Sequence, residues 1–190
     1  MASWGWGAPP AALRSSEVWY LGPMVIASSW FPSIIAAKEI DETAYHRKLQ
    51  GLLNYCVLLA LFIAIPVSFC SRWLIEFLYG PHYIDSANVL MIHIWSSVFV
   101  FLGVASSRWF VLENLQKYTF YRTLAGCVIN ILLNYLLIPT YGVIGSAFAS
   151  VCAQFIASFL FNFVNRNTRQ LFFMQMKAIS LFGQRSGHAK

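Results

Sequence analysis

The chain has 190 residues, of which 58% are hydrophobic and 11% are charged. A soluble domain carries roughly 25% charged residues, so this chain has too few charges to cover a water-facing surface. Its net charge of +6 comes from basic residues that lie between and after apolar runs. A nucleic-acid-binding domain instead gathers its basic residues on one folded face. The composition favours a body surrounded by membrane lipid and excludes a nucleic-acid partner.

Five apolar runs approach the length of roughly 20 residues that a helix needs to cross a bilayer. The sequence therefore predicts an all-α, polytopic membrane protein. Residues 1–13 are an expected irregular lead-in, 38–48 a charged loop without an apolar face, and 165–190 a basic cytoplasmic tail. The predicted spans are 18–37, 49–70, 89–112, 123–138 and 143–164.

Two further segments have the pattern of helices that lie along the membrane surface. In residues 71–79, apolar side chains such as Trp73 and Phe77 share one side, and Arg72 shares another side with a glutamate. The Gly80–Pro81 pair should end that helix. The second segment is LFFMQMKAISLF, within the tail.

The basic residues predict how the chain is oriented. Cytoplasmic loops carry an excess of Lys and Arg, and here the excess alternates from one predicted connection to the next. The expected topology has the N-terminus outside and the C-terminus in the cytoplasm. A first span that enters from outside suggests that an upstream part is missing, or that the chain is read from an internal start. The predicted cytoplasmic set is Lys38, Arg47, Lys48, Lys117, Arg122, Arg166, Arg169, Lys177, Arg185 and Lys190.

Polar residues recur at four-residue intervals along the last two predicted spans, which places them on one ridge of each helix. Such residues either line a hydrated cavity or join helices by close packing and hydrogen bonds, and both interpretations stay open. The rows are Arg122, Gly126, Asn130 and Asn134, and then Ser146, Ser150, Gln154, Ser158, Asn162 and Arg166. The candidate cavity-lining, substrate-binding residues are Asn54, His93, Asn130, Asn134 and Gln154.

Four ionisable residues lie near the predicted spans. Arg108 either extends to the membrane surface or faces a cavity, where it would hold a phosphate group. Glu17 and Glu113 are candidates for carrying coupling protons, or else ordinary interfacial charges. His93 either titrates near neutral pH or is a hydrogen-bonded packing residue.

The sequence contains no arrangement typical of an enzyme or of a metal centre. It has no Ser-His-Asp set with supporting context and no glycine-rich phosphate loop. Asp41 and Glu42 are adjacent in the first cytoplasmic loop, but nothing near them completes a site. Each cysteine lies in or beside an apolar run and is expected to act as a small hydrophobic residue. We therefore expect no catalysis, no metal and no cofactor. The cysteines are Cys56, Cys70, Cys127 and Cys152.

Residues 130–150 read NILLNYLLIPTYGVIGSAFAS. This segment resembles the signature of polysaccharide flippases in the multidrug/oligosaccharidyl-lipid/polysaccharide exporter superfamily. There a helix ends in Asn-x-x-x-Asn-x-x-x-Ile-Pro-x-x-Gly, and Gly-Ala or Gly-Ser opens the next helix. The segments SEVWYLGP, FLYGPHY and 92–109 are also similar to that family, so the resemblance covers about 14–181. The matching positions are Asn130, Asn134, Ile138, Pro139, Gly142, Gly145 and Ser146.

The resemblance implies a transporter of two six-helix bundles in the bacterial inner membrane, of which this chain would form the last five of about twelve spans. It implies translocation of a polyprenyl-diphosphate-linked oligosaccharide for cell-surface polysaccharide such as lipopolysaccharide O-antigen. In that role Arg108 would hold the diphosphate, and Asn130, Asn134 and Gln154 would bond sugar hydroxyls. The implied partners are the lipid-linked substrate, membrane lipid, and a missing N-terminal half or a second copy.

Other functions stay open at this point. The chain is also compatible with a related drug exporter, with a flippase for a peptidoglycan precursor, or with a truncated membrane protein that transports nothing. A membrane-bound polymerase or glycosyltransferase would need a large external loop or a nucleotide-sugar site, and the sequence offers neither.

Overall fold

The computed structural model describes residues 9–80 and 86–180, with side chains from residue 22 onward and without that of residue 79. Within this part of the chain every regular element is a helix. The helices are α1 (Pro9–Ile40), α2 (Glu42–Tyr79), α3 (Ser86–His93), α4 (Ser96–Leu112), α5 (Gln116–Phe155), a π-helical turn (Ile156–Leu160), α6 (Phe161–Val164) and α7 (Arg169–Ile179).

Three helical segments are long and apolar enough to cross a membrane: Glu42–Leu78, Ser86–Leu112 and Gln116–Val164. Their outer faces carry large apolar side chains that no part of the described chain covers. Contiguous exposed apolar surface of this kind is rare on soluble monomers and is compatible with a membrane location. The most exposed of these side chains include Phe62, Phe69, Phe77, Tyr135 and Val164.

The segment Gln116–Val164 is not one straight rod but a hairpin of two antiparallel arms. Its backbone leaves the helical region at Gly142, where φ is 57° and ψ is −137°. In a straight helix residues 126 and 157 would lie about 46 Å apart. A Cβ atom built on Gly126 would instead lie 2.7 Å from the Cβ atom of Ala157. The first arm (116–141) and the second arm (143–164) therefore pack face to face, and the break at Gly142 lies between the predicted spans 123–138 and 143–164.

The predicted loop at 38–48 is wrong, because only Asp41 interrupts the helices there. The carboxylate of Asp41 accepts hydrogen bonds from the backbone N–H groups of Thr43 and Ala44, both at 3.2 Å, and so caps α2. Tyr45 and Leu49 follow on one face and are buried. The predicted absence of an apolar face is therefore wrong at Tyr45, and α2 begins seven residues before the predicted span.

The predicted surface helix at 71–79 is also a continuation of α2. Ser71 and Ile75 are buried, which keeps one face of α2 in the bundle through the last two turns. The helix ends at Gly80 as predicted, with φ at 84° and its N–H bonded to the carbonyl of Glu76 at 2.9 Å. At the other end of the chain, α1 already includes residues 9–13 of the predicted irregular lead-in, and 1–8 lie outside the described residues.

Helix α7 packs one face against the bundle and leaves its other face exposed. Leu171 is fully buried in the core that α1, α2 and α4 share. Gln170 contacts His46 at 3.2 Å, and the amide of Gln50 donates to the carbonyl of Met174 at 2.9 Å. From the first contact to the second, the residue number rises by four on each helix. Helix α7 therefore runs parallel to α2 and leads back along the bundle. Residues 181–190 of the predicted tail lie outside the described part.

Three of the connections converge on one end of the bundle, which we call the basic end. Lys38 pairs with Glu113 at 3.0 Å, and the amide of Asn167 donates to the hydroxyl of Tyr118 at 3.0 Å. Among the residues whose side chains are described, the other end, near Gly80 and Gly142, carries Arg72 as its basic residue. The charge asymmetry expected from the sequence is therefore an asymmetry between the two ends. The basic end carries Lys38, Arg47, Lys48, Lys117, Arg166 and Arg169.

We expect Gly142→Ala to lower the free energy of unfolding by about 1–3 kcal/mol, because its backbone conformation is one that residues with a Cβ atom rarely adopt. Equilibrium unfolding of the detergent-solubilised protein measures this change. Gly22→Ala is the control, since nothing lies within 4 Å of the added atom and alanine favours a helix. Equal stability of the two variants would contradict the hairpin geometry.

Candidate functional site

A cavity of about 660 Å³ lies between α3, α4, the two arms of α5 and the π-helical turn. Its volume is within the range of about 300–1,000 Å³ that small-molecule sites occupy. Its wall mixes small, polar and apolar residues at a depth where the outer surface of the helices is apolar. The polar and charged residues of the wall are His93, Ser96, Ser107, Arg122, Thr123, Asn130, Ser150, Gln154 and Ser158.

The cavity lies where two of its wall helices depart from regular α-helical geometry. A turn at 94–95 separates α3 from α4, and the N–H of Trp95 bonds to the carbonyl of Ile92 at 3.3 Å. In the opposite wall, the π-helical turn Ile156–Leu160 includes Ser158. Single π-helical turns are frequent at functional sites, because they change the direction of side chains along a helix. Both irregularities place polar side chains at the cavity.

Close packing of small residues sets the width of the cavity. A Cβ atom on Gly103 would lie 2.7 Å from the hydroxyl of Ser158, and one on Gly126 would overlap Ala157. At these two points the walls touch through backbone and short side chains. The cavity therefore begins directly beside the helix contacts, and the polar rows serve as both packing surface and cavity wall.

The first arm carries the only charged guanidinium of the wall, that of Arg122. This residue is 6% exposed. Its Nη2 atom donates to the carbonyl of Gly103 at 2.9 Å and to the hydroxyl of Ser107 at 2.8 Å. Its guanidinium carbon lies 4.9 Å from the centre of the Phe110 ring, close enough for a cation–π interaction.

Three of the sequence-predicted residues meet in the wall: His93, Asn130 and Gln154. Asn134 lies one turn beyond the wall and acts on Asn130 directly. Its amide donates to the backbone carbonyl and to the side-chain Oδ1 of Asn130, both at 2.9 Å. This assignment of the amide leaves the NH₂ group of Asn130 free to donate to a bound molecule.

The other predicted residues lie elsewhere. The guanidinium of Arg108 donates to the hydroxyl of Ser28 at 2.9 Å and lies 5.3 Å from the centre of the Phe31 ring, so it faces α1 and not the cavity. Asn54 accepts a hydrogen bond from Gln50 at 2.9 Å on α2 and is not part of the wall. Glu17 lies in α1, and its side chain is outside the described residues.

Sequence reasoning placed Arg122 in the polar row but did not select it as a substrate-binding residue. It also counted this arginine among the cytoplasmic basic residues, because the polar segment 113–122 was expected to be a turn and the helix was expected to begin at residue 123. The signal was present, since Arg122 opens the four-residue row that continues through Gly126 and Asn130. Helix α5 begins at Gln116, which brings Arg122 inside the helix and onto that ridge.

A buried amide cluster supports the cavity from behind. The amide of Gln175 on α7 donates to the hydroxyl of Ser106 at 2.8 Å and to the carbonyl of Ser158 at 2.9 Å. The amide of Asn162 donates to the same carbonyl at 2.9 Å and to the Oε1 atom of Gln175 at 3.0 Å. Because Ser158 also lines the cavity, these bonds fix part of the cavity wall to α7. The sequence showed only an amphipathic tail here.

Glu113 lies at the basic end, outside the cavity wall, and joins three helices. It pairs with Lys38 of α1 and accepts a hydrogen bond from the hydroxyl of Tyr45 of α2 at 2.8 Å. Partial burial raises the pKa of Glu113, but the bonds from Lys38 and Tyr45 outweigh that effect, so the pKa is below its ordinary value. The carboxylate is therefore held in its charged form by contacts that stabilise the bundle.

No group of three or more His, Cys, Asp or Glu side chains is placed to hold a metal ion among the described residues. Within the cavity wall, Cys127 is the one cysteine. The chemistry that the wall offers is hydrogen bonding from amides and hydroxyls, together with one positive charge.

The lowered pKa of Glu113 has a consequence for stability. The contribution of this carboxylate is present above the unfolded-state pKa and is lost as the pH falls through the folded-state pKa. We expect the wild-type protein to lose more thermal stability between about pH 6 and about pH 3 than Glu113→Gln does. The midpoint of thermal unfolding in detergent, recorded across this pH range, measures the loss of stability. Glu39→Gln is the control, because Glu39 is exposed and lies outside the contacts that hold Glu113.

Comparison with known proteins does not place this chain in a family. No protein-family model, no curated protein and no solved structure matches it. The likeness of residues 130–150 to polysaccharide flippases therefore stays a prediction from the sequence, and the cavity is the structural basis for a functional proposal.

Proposed function

We propose that the chain is the C-terminal portion of a flippase that moves a polyprenyl-diphosphate-linked oligosaccharide across the bacterial inner membrane. The observation that carries this proposal is the polar cavity inside a bundle of apolar helices. Polar groups at membrane depth are costly and are kept mainly where they serve a path or a binding site.

The chemistry of the cavity suits such a substrate. A head group of sugars and phosphates cannot cross hydrocarbon unaided, because each of its polar groups would lose its hydrogen bonds to water. The amides of Asn130 and Gln154 and the hydroxyl of Ser150 supply replacement partners in the wall. The polyprenyl tail can remain in lipid beside the bundle.

The proposed topology places five spans in the membrane, with α1 as the first and the two arms of α5 as the last two. The basic end lies in the cytoplasm in this proposal, following the positive-inside rule, and the N-terminus lies outside. The cavity is partly open. A preceding N-terminal half or a second copy of this chain would close it, as in transporters built from paired halves.

The amides of the cavity give the direct test in cells. Deletion of the gene should cause lipid-linked oligosaccharide to accumulate on the cytoplasmic face of the membrane. We expect Asn130→Leu combined with Gln154→Leu to slow translocation about tenfold, as loss of a hydrogen bond or two to bound sugar implies. Leaflet-specific labelling of the sugar measures the rate.

Asn54→Leu is the matched control, since Asn54 is a half-buried amide outside the cavity wall, and this variant should translocate at the wild-type rate. Surface polysaccharide that is unchanged by the deletion would refute the flippase assignment. Loss of export of small cationic drugs in its place would support a related drug exporter, and accumulation of a peptidoglycan precursor would support a precursor flippase.

A further inference from the structure

Arg122 is a buried charge without a carboxylate partner among the described residues. The described carboxylates all lie at helix ends, and the ion pairs that form join Lys38 to Glu113 and His46 to Glu42. An unpaired ionised group in a low-dielectric interior is strongly unfavourable. Arg122 is 6% exposed. Its positive charge therefore needs a negative partner other than the described carboxylates.

The guanidinium of Arg122 points into the bundle, not toward its basic end. Arg122 lies six residues from the start of α5, or about 9 Å along the helix. It bonds to the carbonyl of Gly103, which lies nine residues from the end of α4, or about 13 Å deep. A long cationic side chain near a helix end ordinarily extends toward water. This one turns the opposite way.

The side chain is also fixed in place. Two hydrogen bonds to Gly103 and Ser107 hold Nη2, and the Phe110 ring lies against the guanidinium. The other terminal nitrogen, Nη1, is buried and has no hydrogen-bond partner among the described residues. Buried donors are almost always paired, so this guanidinium has hydrogen-bonding capacity that the described side chains do not use.

We propose that Arg122 forms an anion site in the cavity and that the site binds a phosphate or diphosphate group. The planar guanidinium matches phosphate oxygens better than an ammonium does, and such charge-assisted bonds are the stronger ones. Thr123 and Asn130 in the same wall supply further polar groups. The inference rests on the proposed function only for which molecule carries the phosphate, and it replaces Arg108 with Arg122 as the phosphate-binding residue.

The test is the binding of inorganic pyrophosphate to the full chain in nanodiscs of zwitterionic lipid. Isothermal titration calorimetry measures this binding. We expect Arg122→Gln to weaken binding about tenfold or more, as loss of a charge-assisted hydrogen bond implies. Arg108→Gln is the matched control and should bind as the wild type does, because Arg108 faces α1. Equal binding by Arg122→Gln and wild type, or an equal loss in Arg108→Gln, would overturn the proposal.

A second measurement needs no substitution at Arg122, whose bonds to α4 also support the fold. Cys127 lines the cavity, whereas Cys70 lies exposed near the other end of α2. Bound pyrophosphate should slow the reaction of Cys127 with a small maleimide and leave that of Cys70 unchanged. Unprotected Cys127 at saturating pyrophosphate would count against an anion in this cavity.

A competition experiment separates the site from the flippase proposal. Polyprenyl diphosphate in the nanodisc should displace pyrophosphate, while phosphatidylglycerol at the same density should not. Displacement supports both the site and a lipid-linked substrate. Pyrophosphate binding that depends on Arg122 but resists polyprenyl diphosphate supports the site, assigns it to a free phosphate compound and counts against the flippase. Absence of pyrophosphate binding overturns the site alone.

Discussion

The contact between Gly126 on one arm of α5 and Ala157 on the other is the constraint on which the rest of the structure depends. Because Gly126 has no side chain, the two arms approach so closely that a Cβ atom at this position would overlap the Cβ atom of Ala157. Such small-residue contacts are how helices associate in lipid, where apolar surface gives no net driving force. The contact sets the faces of both arms. It brings Arg122 and Asn130 opposite Ser150 and Gln154, so a packing requirement creates the cavity.

The polar groups behind the wall show how such a cavity stays formed. Ser158 touches Gly103 from the cavity side, and its carbonyl accepts hydrogen bonds from Asn162 and Gln175. An unpaired backbone carbonyl is costly away from water. Asn162 of α6 and Gln175 of α7 both supply donors to this carbonyl of the π-helical turn. The π-helical turn, the buried amides and α7 are therefore connected by one set of hydrogen bonds. Because Ser158 belongs to both, this set also holds the cavity wall in place.

The sequence could predict the helical class, the break at 141–142 and the row that leads from Gly126 to Asn130, because apolar run length and four-residue spacing are local properties. It could not predict the rotation of each helix about its axis, which depends on tertiary packing. That rotation separates Arg108, bonded to Ser28, from Arg122, bonded to Gly103. The same limit applies to the tail. Its sequence shows an apolar face but does not show that Gln175 lies in the core. A buried glutamine is favourable there only because residues of α4 and the second arm bond to it.

The parallel course of α7 beside α2 has a consequence for how the protein is made. Residues 169–179 are synthesised after every other helix of the described bundle, yet Leu171 and Gln175 fill its interior. Until they emerge from the ribosome, Ser106 and the carbonyl of Ser158 have no partner from α7. In the proposed membrane topology, insertion of the earlier helices therefore precedes completion of the core. Interior packing is then a late, post-insertional step, as in a two-stage view of membrane protein assembly.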